Sequence, residues 1–145
     1  MDPAEIPVSD YLCLSLQVAG RAVDGMYRRL LAELDLTYPQ YVVMRVLWQR
    51  GPLGVKEIGS VLDLDYGTLS PLLKRLESAG LVTRTRRRDD ERAVEIALTP
   101  AGAAMEAKAR DIPCAVLDGF GLTDRESKTL RGLLARITAN ASAAP

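Results

Sequence analysis

Apolar positions near the start of the chain recur at alternating steps of four and three: Leu12, Leu16, Ala19, Val23, Met26 and Leu30. That spacing predicts a long amphipathic helix whose heptad-like stripe calls for a partner helix. Ser9 or Asp10 is the expected cap, and the helix should run to about Glu33, before Asp35-Leu36 breaks the pattern. Thr37 followed by Gln40 reads as a capping box opening a second helix. Tyr41, Met44, Leu47 and Trp48 supply its buried face, and Gly51-Pro52-Leu53-Gly54 ends it.

Gly54 to Thr99 forms the centre of the chain. Val55, Ile58 and Leu62 predict a short helix over Val55 to Leu62, and Asp63 to Gly67 is rich in turn formers. Leu69, Leu72, Leu73 and Leu76 predict a second helix over Leu69 to Ala79, closed by Gly80 as a C′ residue. Pro71 fits such a helix only inside its first turn, which points to Gly67 or Thr68 as N-cap. Leu81 to Arg86 and Ala93 to Leu98 read as two strands around the charged loop Arg87 to Arg92. Helix, turn, helix and hairpin together make a winged helix-turn-helix, whose second helix suits a major groove.

After the wing, Thr99-Pro100 opens a helix expected to reach about Asp118, with Met105, Ile112 and Val116 on one face and a kink at Pro113. Thr123 and Glu126 form a second capping box, and Leu130, Leu133, Leu134 and Ile137 make a last stripe. The tail from Asn140 is expected to fray. One chain of this size has little to cover both terminal stripes. The pattern therefore predicts a single mainly α domain over 1–145, with a small β-hairpin wing. Residues 37–99 make the winged core, and residues 9–34 and 100–140 make a homodimer. Two-fold symmetry would set two recognition helices about 34 Å apart, matching a palindromic operator in double-stranded DNA.

Charge sharpens this picture. Between Tyr66 and Arg88, the bases Lys74, Arg75, Arg84, Arg86, Arg87 and Arg88 face Glu77 alone, a local excess of five positive charges in a chain of zero net charge. A basic patch on a neutral protein is the footprint of phosphate binding. Within it, Thr68 and Ser70 are expected at base edges, and Lys74, Arg75, Arg86, Arg87 and Arg88 on phosphates. Arg92, held by Asp90, would enter the minor groove. An apolar content of 48% argues against disorder. No apolar run approaches a membrane span, and the start of the chain carries Asp2, Glu5 and Asp10 without a base, unlike a secretory leader. A cytoplasmic location is the expectation. With no histidine and only Cys13 and Cys114, no metal site or other cofactor is expected.

Asp90-Glu91-Arg92 with Leu98-Thr99 resembles the wing signature of MarR-type repressors, over an element order that matches essentially the whole chain. Within that family three stretches resemble organic-hydroperoxide sensors: Leu12-Cys13, Leu36 to Tyr41 (Leu-Thr-Tyr-Pro-Gln-Tyr), and Asp65 to Arg75. The resemblance implies that Cys13 is the peroxide-reactive thiol, with organic hydroperoxide as inducer. It implies that Tyr27 and Tyr38 of the other subunit hydrogen-bond the sulfur. It also implies that Cys114, in a two-cysteine sensor, would pair with Cys13 of the other chain. The residues alone leave Cys114 open between resolving thiol and packing residue. Gln17 and Tyr66 stand where relatives often carry a tyrosine and a small serine. A MarR-type repressor answering a small aromatic ligand without thiol chemistry and a thiol peroxidase are the competing functions. The family points away from an enzyme.

Overall fold

The computed structural model describes residues 5–87 and 93–144, so Arg88, Asp90 and Arg92 lie outside the described residues. The chain divides between Arg110 and Asp111 into two compact units.

The first unit opens with helix α1, Leu12–Leu30. Its N-cap is Tyr11, with no side-chain cap, so neither Ser9 nor Asp10 serves as expected; the Ser9 hydroxyl donates to the Asp10 carboxylate instead. The helix also stops short of Glu33. A 3-10 turn follows over Ala32–Leu34, and Asp35 adopts a left-handed conformation at φ 52°. No residue of α1 is buried: Leu12 and Ala19 of its stripe are exposed, and Leu16, Val23, Met26 and Leu30 are half-buried, so the stripe is only partly covered within one chain.

Helix α2, Tyr38–Arg50, begins with the expected capping box: the Gln40 N–H donates to Thr37 Oγ1, and the Thr37 N–H donates to Gln40 Oε1 at 3.0 Å. It is the central helix of the core. Val43 and Val46 are buried along with Tyr41, Met44 and Leu47, a wider face than one stripe predicts. Strand β1, Leu53–Gly54, leads into helix α3, Val55–Leu62, whose bounds match the sequence reading. Asp63 then turns left-handed at φ 54°, and the Leu64 N–H returns to the Gly59 carbonyl at 2.9 Å. A Cβ on Gly59 would lie 2.8 Å from the Leu64 carbonyl oxygen, so this tight turn depends on that glycine.

Helix α4, Tyr66–Ser78, buries Leu69, Leu72, Leu73 and Leu76. Its N-cap is Asp65, not Gly67 or Thr68, with Asp65 Oδ1 accepting from the Thr68 N–H at 2.7 Å. The capping aspartate adds Tyr66, Gly67 and Thr68 to the start of the helix and leaves Gly67 and Pro71 inside it. Gly80 ends it at φ 74°, its N–H bonded to Glu77 and that of Leu81 to Leu76, a Schellman closure. Strands β2, Val82–Arg86, and β3, Val94–Leu98, pair antiparallel with Arg84 opposite Ile96. The short β1 pairs on the other edge of β3, giving the order β1-β3-β2. Two residues of β1 are too few for an alternation pattern to reveal. Helix α5, Pro100–Ala109, is capped by Thr99 as expected.

The second unit holds α6, Ile112–Phe120, and α7, Asp124–Ala143. The single helix expected from Ala101 to Asp118 is therefore two. Pro113 sits in the first turn of α6, where its missing N–H costs nothing, rather than kinking a continuous rod. The Thr123–Glu126 capping box is present, and α7 stays helical to Ala143, past the expected fraying point. None of its residues is buried. Among the described residues, no helix is long and apolar enough to cross a membrane.

Candidate nucleic-acid interface and thiol site

The outer surface of α4 is polar because its four leucines all turn inward. Thr68, Lys74 and Arg75 are exposed, and Ser70 is half-buried. At 100° per residue the two hydroxyls occupy opposite flanks. Ser70 follows Tyr66 by one turn on one flank, and Thr68 shares the other with Arg75. Gly67, Pro71 and Lys74 form the outermost line between them. Both flanks fit a major groove about 12 Å wide.

On the wing, Arg86 is exposed at the end of β2. Arg87 turns back onto the core. Its guanidinium lies 3.1 Å from Glu57 Oε1 on α3 and 3.6 Å from Glu95 Oε2 on β3. Two carboxylates thus balance its charge and tie the root of the wing to the helix-turn-helix. The sequence offered no signal for this pairing across thirty residues, because both glutamates read as ordinary surface charge.

Cys13 is the second residue of α1 and is exposed. An anion on that sulfur would meet the positive end of the helix dipole. Gln17, one turn on, is exposed too. Tyr27 is fourteen residues further along the same helix, about 21 Å away at 1.5 Å per residue. Cys13 therefore cannot meet Tyr27 of its own rod.

Tyr27 and Tyr38 do meet each other, with ring centroids 4.5 Å apart. Tyr41 joins at 5.9 Å from Tyr27, and Trp48 stands edge-on to Tyr41 at 6.4 Å. Burial, reinforced by Tyr38 and Tyr41 and opposed by Arg45, raises the Tyr27 pKa above its ordinary value. Burial likewise raises that of Tyr41. Tyr27 is thus held as a protonated phenol, able to donate a hydrogen bond. Beside the pair, Asp24, Arg28, Leu36, Thr37, Tyr38 and Pro39 line an open cleft of about 390 Å³. Cys114 lies in the first turn of α6, in the second unit, and is exposed. Among the described residues, no cluster of acids and cysteines could hold a metal ion.

The family model of MarR matches residues 36–94, from the approach to α2 through the start of β3. Over 126 residues the chain is 43% identical to the organic hydroperoxide resistance transcriptional regulator of Bacillus subtilis, covering 87% of this chain and 84% of that protein. The chain belongs to the MarR family. It is also 49% identical to the HTH-type transcriptional regulator TtmR of Methylorubrum extorquens over 86% of its own length; the match spans 64% of that protein. Overoxidized AbfR bound to DNA superposes with a TM-score of 0.81 at 31% identity, covering 97% of this chain and 99% of that one. The family is one of DNA-binding transcriptional regulators, not of enzymes.

Proposed function

We propose that this MarR-family chain is a transcriptional repressor acting as a homodimer on a palindromic operator, released when Cys13 is oxidised by an organic hydroperoxide. The observation that carries the reading is the Tyr27–Tyr38 pair. Two phenol rings pack against each other in the first unit, and Tyr27 lies about 21 Å along α1 from a thiol that needs donors. A second copy running antiparallel along the partly covered stripe of α1 brings each Cys13 towards the partner's phenols. Donors there favour the thiolate.

The thiolate attacks the outer peroxide oxygen. The S–O bond forms as the O–O bond breaks, and the alcohol leaves with a proton. Sulfur gives up two electrons and becomes a sulfenic acid. The Cys114 thiol of the other chain then displaces water to form a disulfide. Reduced, α4 enters the major groove with Thr68 and Ser70 at base edges, Lys74, Arg75 and Arg86 on phosphates, and the wing segment carrying Arg88, Asp90 and Arg92 on the adjacent backbone and minor groove. Arg87 acts through the wing rather than on DNA.

The test is a gel shift on a duplex selected from a random library. Cumene hydroperoxide should release the wild type and leave Cys13→Ser bound. Continued binding by wild type whose Cys13 is shown by mass spectrometry to be oxidised would reject the switch. The cleft beside Tyr38, with Arg28 able to pair a carboxylate, favours a second reading in which a small aromatic acid is the inducer. Salicylate-driven release of Cys13→Ser would select it.

A further inference from the structure

Tyr66 has no role in the switch, and the fold does not explain it. At 67% exposure it is the most exposed large apolar side chain among the described residues. Leaving an aromatic ring in water forfeits the main stabilisation such a residue can supply. Tyr66 occupies the first position of α4, and a recognition helix meets base edges with its N-terminal residues.

Its neighbours say what it meets. Asp63 and Asp65 flank the head of α4, and with Tyr66 they line the open groove between α3 and α4, where Lys56 is the one base. Asp65 is held ionised by the Thr68 N–H, which lowers its pKa. Two carboxylates against one ammonium leave the groove net negative, so a phosphate is disfavoured at this point and an apolar base edge is not. Gly67, next on the outer face, is a second feature without a structural reason. A Cβ there would meet nothing nearer than Asp65 Oδ1 at 3.5 Å, so alanine fits the fold and would favour the helix. What glycine adds is room for another molecule beside the Tyr66 ring.

We propose that Tyr66 is a specificity-determining residue that packs its ring on the 5-methyl group of a thymine in the major groove, with Gly67 letting the base pair approach. The proposal rests on the DNA-binding reading above. Thymine is the base whose major-groove edge carries an apolar group. Covering one methyl corresponds to about a fourfold change in affinity per half-site.

The experiment selects binding duplexes from a random library with wild type, Tyr66→Ser and Tyr66→Phe, then replaces thymines in the wild-type consensus by deoxyuridine. One thymine per half-site should be required by wild type and Tyr66→Phe and lost from the Tyr66→Ser consensus. Deoxyuridine there should weaken wild type about fourfold per half-site and Tyr66→Ser not at all. The slope of affinity against salt should be equal for all three, since no phosphate contact changes. An unchanged Tyr66→Ser consensus, a wild type indifferent to every deoxyuridine, or a shallower salt slope for Tyr66→Ser would each overturn the assignment. Enrichment of no sequence by the wild type would overturn the DNA-binding reading itself, and with it any role for Tyr66.

Discussion

Gly102→Ala should be among the most damaging single-methyl changes in this chain, although glycine-to-alanine in a helix ordinarily stabilises. A Cβ at position 102 would lie 2.1 Å from the Leu81 carbonyl oxygen, 3.0 Å from its carbon and 3.3 Å from Leu98 Cδ2. The nearest of these is backbone, so no rotamer relieves the clash. The start of α5 must move away from Leu81 by about 1.3 Å to restore ordinary contact. Several bonds bridge that gap. The Thr99 N–H donates to Leu81 O at 3.0 Å, Thr99 Oγ1 donates to Gly80 O at 2.6 Å, and Trp48 Nε1 donates to Gly102 O at 2.9 Å. Overpacking costs about 1–3 kcal/mol, and stretching two such bonds adds about 1 kcal/mol each. Alanine's helix preference returns at most about 1 kcal/mol. The net loss is about 2–4 kcal/mol, or a fall in Tm of about 7–13 °C for a chain of this length. Scanning calorimetry at fixed protein concentration measures it, because dimerisation makes Tm concentration-dependent. Gly132→Ala on α7, where a Cβ meets nothing within 4 Å, is the control and should raise Tm by a few degrees. A Gly102→Ala protein melting within 3 °C of wild type, roughly 1 kcal/mol, would refute the close approach.

Two further outcomes follow from the same unit. Asp65→Ala should weaken DNA binding by loosening the first turn of α4, while Asp65→Asn, which still caps, should weaken it less. The folded pKa of Asp65 lies below its unfolded value, chiefly through the Thr68 N–H, so its stabilisation is present above about pH 4 and lost as pH falls through the lower folded value. The Tm gap between wild type and Asp65→Ala should therefore close below about pH 4, with Glu126 contributing equally to both proteins; a gap constant down to pH 2 would contradict the cap. Trp48→Phe removes one hydrogen bond and keeps most of the ring, so urea titration should show a loss of about 1–2 kcal/mol. Combined with Gly102→Ala its effect should be less than additive, and strict additivity would separate the two sites.

Most of the helical framework is legible in local chemistry. The spacing of Val55, Ile58 and Leu62 marks α3, and the Thr37–Gln40 and Thr123–Glu126 boxes mark the starts of α2 and α7. Misplaced boundaries have a common cause, namely competition between signals of similar strength. Pro71 argued for a late start to α4, but Asp65 is the better cap, and the helix accepts an exposed proline instead. Pro113 suggested a kink because α5 and α6 share an apolar period; the chain breaks at Asp111 and uses the proline to begin again. Long-range pairings were invisible. Nothing near Trp48 in the sequence points to Gly102, and nothing near Glu57 points to Arg87. Cys13 and the tyrosines were found through a family likeness; periodicity marks Cys13 only as a residue beside a stripe.

Those unseen pairings join the parts a switch would need. Tyr38 and Tyr27 pack at 4.5 Å, and Tyr27 leans on Tyr41, which leans on Trp48. The indole N–H of Trp48 holds the Gly102 carbonyl, and Gly102 is pressed on Leu81. Leu81 is the C″ residue of α4 and the doorstep of β2, and Thr99 fastens it to α5. Tyr41 and Leu81 are buried, and Tyr27 and Trp48 are half-buried, so the inner links of this chain share the close packing of the core, while Tyr38 faces outward at its start. On the proposed redox reading, a displacement of Tyr38 by a sulfur that gains an oxygen has a continuous line of contacts to the end of the recognition helix and the root of the wing. The Arg87 ion pairs link that root to α3 and β3. On the same redox reading, such a line of contacts would change the spacing of the two DNA-reading heads rather than the shape of either. Oxidation should therefore alter affinity far more than sequence preference.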